Sequence, residues 1–263
     1  MTVDSEEAFR VMTSGVFTAA YLAMIPMLEK LTGKKVVTLT TSIGTGETSI
    51  PNRLARFETV DLVIVAEPNM QHFIEKGYII ADTRAVIAKS SVAIAVRDGE
   101  PPPAAHSVEA LRRTFLGARV IAYSASESGK YLTTRLYQRL GIAEQCLPKS
   151  RFVGNGERTG AVVARGDADI AFQQISELRP VPGIAHITPI PDELQANVWV
   201  AAGVPAWSRH IELAQSVVQL LSSADAAPAI EQSGLQCVEG AMGGTSCTKP
   251  PAAMIIDVNP AAH

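Results

Sequence analysis

The sequence predicts an α/β protein in two blocks, and three observations predict it. Short apolar strands alternate with helix-period segments along most of the chain. Each block opens with a strand, a hydroxyl-rich turn and a helix. Of its 263 residues 47% are hydrophobic, which suffices for one large or two medium cores. No internal repeat and no long linker interrupts the alternation.

Residues 8–16 read as a short buried strand that turns at Thr13, Ser14 and Gly15. Residues 17–32 follow as a helix, interrupted or bent at Pro26 and closed by Gly33. Residues 36–40 are a β-branched strand, completing a βαβ unit with Ser14 and Gly15 at its first junction. The polar turn 41–51 carries Ser42, Thr45 and Glu47, and Pro51 suits the first turn of a short helix. Residues 60–66 form the next buried strand, and 70–76 a short helix.

The second block holds an alternating strand at 92–96, a break at Pro101, Pro102 and Pro103, and a helix capped by Ser107. Strand 120–123 then runs into Ser124, Ser126, Glu127, Ser128 and Lys130, and a helix with Leu132, Leu136 and Leu140 on one face. A helix start leaves backbone N–H groups unpaired and partly positive, so hydroxyls there either cap the helix or hold an anion with those groups. A third polar turn, 154–159, holds Glu157, Arg158 and Thr159 ahead of another helix. Strand 167–175 places Gln173 and Gln174 in an apolar run, where a buried amide needs partners. Strand 196–204, helix 208–222 and a last helix ending at Gly234 follow, and 237–263 reads as a poorly ordered tail.

Composition excludes several classes. The net charge is −3, aromatics make up 5%, and no Lys/Arg cluster interleaves with them, so nucleic acid is not an expected partner. No apolar run has the length of a membrane span. The three cysteines, Cys146, Cys237 and Cys247, have no metal-ligand spacing; Cys237 and Cys247 either pair in an oxidising compartment or stay free in a reducing one. Gly44 and Gly46 do not complete a dinucleotide fingerprint. No metal and no organic cofactor are therefore expected. The N-terminus shows no basic and apolar leader pattern, which implies a cytoplasmic address as written, or a periplasmic one if a leader has been removed.

The ordered series TSGVFTAAYLAMIPMLEKLTGKKV, NRLARFETVDLVIVAEPNMQHFIEKGYI, VVARGDADIAFQQISEL and SADAAPAIEQSGLQ resembles molybdate-type periplasmic substrate-binding proteins over roughly residues 10–236. The resemblance implies a type II periplasmic-binding-protein-like fold, with two α/β lobes and a ligand cleft between them. Lobe 1 is expected at 1–88 plus 205–236 and lobe 2 at 89–204, with crossings near Ile87 and Val200. It also implies an oxyanion held by hydroxyls and helix N-termini of both lobes. Ser14 with Gly15, Ser42 or Thr45, Ser124 with Ser126 and Ser128, and Arg158 with Thr159 match those positions, and Gln174 stands where the family has a tyrosine.

Glu47, Glu127 and Glu157 sit in three of these turns, where a carboxylate opposes an anion. Arg53 and Arg158 lie beside them. A tetrahedral oxyanion does not need guanidinium forks, whereas a di- or tricarboxylate uses them. The NRLARFE segment and the IAYSASESGKY block also resemble bacterial aconitate isomerases, an enzymatic branch that shifts an allylic proton between cis- and trans-aconitate. On that resemblance one of Glu47, Glu127 and Glu157 is the base, and Arg53, Lys130 and Arg158 clamp carboxylates. The alternative is a non-catalytic binder of an oxyanion or small carboxylate, with an ABC permease as partner, or a cytoplasmic sensor.

Overall fold

A computed structural model describes residues 8–154 and 157–238. The first block supplies β1 (Phe9–Thr13), α1 (Gly15–Thr32), β2 (Val36–Thr40), α2 (Ile50–Ala55), β3 (Leu62–Ala66), α3 (Glu67–Glu75) and β4 (Ala85–Ser90). The second supplies β5 (Val92–Arg97), α4 (Val108–Gly117), β6 (Ile121–Ser124), α5 (Glu127–Tyr131), α6 (Tyr137–Arg139), α7 (Ala143–Cys146), β7 (Ser150–Val153), α8 (Thr159–Ala164), β8 (Ile170–Gln174), α9 (Ile175–Leu178) and β9 (Ile184–Pro189). The chain then returns through β10 (Val198–Gly203), α10 (Ile211–Leu221) and α11 (Ala227–Gln232).

These strands form two five-stranded sheets, ordered β2-β1-β3-β10-β4 and β7-β6-β8-β5-β9. In each sheet three strands run parallel, and the fourth is an antiparallel strand that has crossed from the other lobe. Both faces of each sheet are covered, as a largely parallel sheet requires. On the first sheet, Phe17, Tyr21, Met24 and Leu28 of α1 join Val217, Val218 and Leu221 of α10 on one face. Met12, Leu54, Met70 and Phe73 fill the other. On the second, Phe115, Tyr137 and Phe172 centre one cluster, and Val153, Val162, Val163 and Leu178 the opposite one.

The crossings differ from expectation. The outgoing one lies at Ser91, between β4 and β5, and β4 itself is absent from the expected elements. Strand β10, expected in lobe 2, pairs with β3 and β4 in the first sheet, because its apolar run Val198–Gly203 fills the gap between them. The two crossing segments are laced together. Ser91 Oγ donates to Asn197 Oδ1 at 3.1 Å. The Gln195 amide accepts from Val92 N at 3.0 Å and donates to the Val92 and Ile190 carbonyls at 2.9 and 3.0 Å.

Helix α1 starts at Gly15 and runs through Pro26 without a break. Proline removes the bond to the carbonyl of Leu22, and Leu22 is 49% exposed, so that stretch lies on the outer side of the helix. The helix expected after Ser126 contains a π turn at Leu132–Leu136 between α5 and α6. Among the described residues Cys237 and the buried Cys146 form no disulfide; Cys247 and the rest of the expected tail from 239 onward lie outside the described residues. No helix among the described residues is long and apolar enough to cross a membrane.

Candidate functional site

The parallel strands β1, β2, β3 and β6, β7, β8 lead at their carboxyl ends into the polar turns, where open α/β sheets bind ligands. A cleft between the two blocks gathers those ends. Its lining comes from Ser14, Gly15 and Val16 at β1–α1, Ile43, Ala66 and Asn69 on the first side, and from Ser126, Glu127, Lys130, Gln174 and Glu177 on the second. Its empty space, including the part open to solvent, is about 470 Å³.

Two side-chain atoms in this lining are buried without a hydrogen-bond partner among the described residues: Ser14 Oγ from the first lobe and Gln174 Oε1 from the second. Both residues stand in extended backbone ahead of a helix and make no side-chain cap. Buried polar atoms are normally paired, so an unpaired one in a cleft marks a place for a ligand or water. Two more unpartnered hydroxyls, Ser49 and Thr159, stand at the starts of α2 and α8. The 18-residue α1 adds its unpaired opening N–H groups and positive dipole end.

The serines of the 124–128 turn behave differently. Gln173 Nε2 donates to Ser124 Oγ at 2.8 Å, Ser124 donates to Ser126 at 3.1 Å, and Ser126 donates back to Gln173 Oε1 at 3.0 Å. Ser128, fully buried, also donates to Gln173 Oε1. This closed ring commits the hydroxyl protons to the protein. Ser126 borders the cleft with its proton already given away.

Charges in and beside the cleft are few. Glu127 and Lys130 pair at 2.8 Å. Glu177 lies over the first turn of α1: a Cβ placed on Gly15 would meet its carboxyl carbon and oxygens at 3.4–3.5 Å. Burial pushes the Glu177 carboxyl up to about 7, while the charge of Arg158 pulls it down. The residue keeps part of its surface open to the cleft. Among the described residues no group of three or more His, Cys, Asp or Glu is placed to hold a metal ion.

Residues 9–236 match the family of bacterial extracellular solute-binding proteins. The chain belongs to that family. This solute-binding family member is 38% identical over 229 residues to an aconitate isomerase from a Pseudomonas species, a match that covers 87% of each chain. Its fold is similar to that of the periplasmic molybdate-binding protein of Azotobacter vinelandii, with a TM-score of 0.72 at 15% identity over 88% of this chain and 100% of that one. The sulfate-binding protein SubI of Mycobacterium tuberculosis is similar at a TM-score of 0.68 and 17% identity, over 89% and 88% of the respective chains. The fold is the type II periplasmic-binding-protein fold.

In this family member the cleft brings together six of the residues singled out from sequence: Ser14, Gly15, Ser126, Glu127, Lys130 and Gln174. Others go elsewhere. Ser42, Thr45 and Glu47 are exposed in a loop pinned by Asn52 and Arg56, and Ile43 is its residue in the lining. Arg53 is no free clamp: it bonds the Thr48 carbonyl at 3.0 Å and pairs with Glu58. Glu157 pairs with Arg165 at 2.5 Å. Ser124 and Ser128 serve the ring around Gln173. Thr159 and Arg158 stand at the start of α8, outside the lining, with Arg158 exposed and its charge acting on Glu177.

Three contributors escaped sequence reasoning. Asn69 sits one turn into α3. Ser49 had a signal, since it directly precedes Ile50 and Pro51 at a helix start. Glu177 lies on α9, a four-residue helix where the apolar pattern reads as a continuing strand.

Proposed function

We propose that this chain isomerises aconitate, or a closely related unsaturated polycarboxylate, by an allylic proton shift. The observation that carries the reading is the pairing, across one cleft, of unpartnered buried polar atoms with the open end of α1 and a carboxyl beside it. In such a site the Ser14 hydroxyl and the α1 N–H groups donate to a carboxylate, while Gln174 Oε1 accepts from a ligand hydroxyl or a protonated carboxyl. It also offers a group able to take a proton. The 38% identical relative, an aconitate isomerase, supports the same reading.

In the reaction a base removes a proton from the substrate methylene. The C–H electron pair becomes a new C=C bond, the old π pair moves to the far carbon, and that carbon takes a proton. Charge builds on the carboxylate conjugated with the allyl unit. Ser14 Oγ–H and the N–H groups of α1 are the donors aimed at such charge. Loss of one donor of this kind costs roughly 100-fold in turnover.

Incubation of the pure protein with cis-aconitate in deuterated water, followed by NMR, tests this. Trans-aconitate carrying deuterium at the allylic position is expected. Binding without any formation of trans-aconitate would leave the second reading, a binding protein for a small carboxylate or oxyanion, which the solute-binding family favours and for which a permease is the partner. Ser14→Ala separates ligand binding from folding. Its hydroxyl has no protein partner, so stability should stay within about 0.5 kcal/mol. Affinity for aconitate should fall about tenfold, read by calorimetry, because a hydrogen bond to a charged group is lost.

A further inference from the structure

We propose that Glu177, and none of the glutamates in the polar turns, is the group that moves the allylic proton; the proposal rests on the isomerase reading above.

Geometry narrows the choice. Among the described residues only two carboxylates line the cleft, Glu127 and Glu177. Glu127 is held by Lys130 at 2.8 Å, three residues on in the same helix. Glu157 is held by Arg165, and Glu47 is exposed outside the lining. Glu177 is different. It makes no hydrogen bond or ion pair among the described residues, and its carboxyl faces the first turn of α1 across the lobe boundary at Gly15. Any carboxylate of a substrate that reaches the N–H groups of α1 must therefore pass beside it.

The surrounding charges suit a proton carrier. Among the described residues, Arg158 at the head of α8 is the cation whose charge acts on Glu177. The Glu127–Lys130 pair of α5 borders the same cleft. The opening turn of α1 carries no acidic side chain, and Arg179 on α9 itself is bound to the carbonyls of Glu231 and Gln232. On β5, Arg97 is paired with Glu100. Burial holds the carboxyl near 7, so it accepts and returns a proton at neutral pH at little cost. The two oxygens of one carboxylate also span about the same separation as the two ends of an allyl unit. One oxygen takes the proton from the methylene, and the same group delivers a proton to the carbon two bonds away. No electron enters or leaves the pair of molecules.

The test measures allylic deuterium incorporation and trans-aconitate binding for wild type, Glu177→Gln and Arg158→Gln between pH 5 and 9. Wild type is expected to gain activity as pH rises through about 7, where the base ionises. Glu177→Gln should keep aconitate binding within about threefold and lose exchange by roughly 100- to 10,000-fold, with no limb left near pH 7. In Arg158→Gln the limb should move to higher pH, because the charge that favours the ionised form is gone. A merely structural role for Glu177 would not move that limb. Exchange at the wild-type rate in Glu177→Gln, or a limb that stays near pH 7 in it, overturns the proposal and leaves the isomerase reading standing. If Glu177→Gln does not fold, an unmoved limb in Arg158→Gln overturns it instead. A wild type that binds cis-aconitate and forms no trans-aconitate sinks the isomerase reading, and this assignment with it.

Discussion

Ser126 and Glu177 face the same cleft with opposite capacities. Ser126 has given its proton to Gln173, and Glu177 has neither given nor received a hydrogen bond among the described residues. Two predictions follow at this scale. Gln173→Leu leaves the hydroxyls of Ser124, Ser126 and Ser128 without their common partner, which should cost about 1–3 kcal/mol in urea unfolding. Glu177→Gln should act in the other direction, and only at high pH. The folded pKa is raised, to about 7, above the ordinary value of 4.5, so this group's contribution to stability is full below about 4.5 and is lost as pH rises through about 7. Thermal melts should show Glu177→Gln more stable than wild type at pH 8 and equal to it at pH 4. Each kcal/mol recovered corresponds to about 2–4 °C. Sequence alone could indicate Ser14 and Gly15, which stand where a strand gives way to a helix, and Gln174, a polar residue in an otherwise apolar strand run. It could not show that Arg53 and Glu157 are occupied by Glu58 and Arg165, since Arg53 on α2 reaches Glu58 beyond the helix end and Glu157 ahead of α8 reaches Arg165 past it, spacings with no periodic signal.

The elements around the cleft are short, and their junctions are tight. Gly129 is the clearest case. A Cβ there would lie 1.8 Å from the Ser124 carbonyl oxygen, so the last residue of β6 and the third residue of α5 are in direct backbone contact. Gly129→Ala should therefore destabilise by about 3 kcal/mol and open the serine turn, measurable as a lower urea midpoint. The strands β1, β2, β3, β5 and β6 and the helices α1, α4 and α10 were legible, because each carries a clear apolar period or a cap such as Ser107, which accepts from Ala110 N. The strand β4 was not: AVIAKS and the following VAIAVR read as one apolar stretch, and only the change of sheet at Ser91 divides them. Helix α9 was hidden for the converse reason. Four residues are too few for a helical period to declare itself, so Ile175 extended the strand pattern of β8.

At the scale of the whole molecule, each sheet receives its fourth strand from the other lobe, and no alternation of strand and helix in the sequence could reveal that exchange. Partner strands far apart in sequence are chosen by shape and burial, which is why β10 pairs with β3 and β4 although it follows β9. The two strands of the exchange are joined side by side through Ser91, Asn197 and Gln195. Gln195→Ala should remove three hydrogen bonds at that seam and lower stability by about 1–3 kcal/mol, read by denaturant titration. The seam also sets the mechanics of opening. A single strand between two bodies is a swivel, free to twist and to bend in any direction. Two parallel straps fastened along their edges are a door hinge, with one soft axis and two stiff ones. Motion of the lobes is thereby reduced to one degree of freedom, and spin labels placed in the two lobes should trace a single curve of distances as carboxylate is added, with Gln195→Ala scattering points off it.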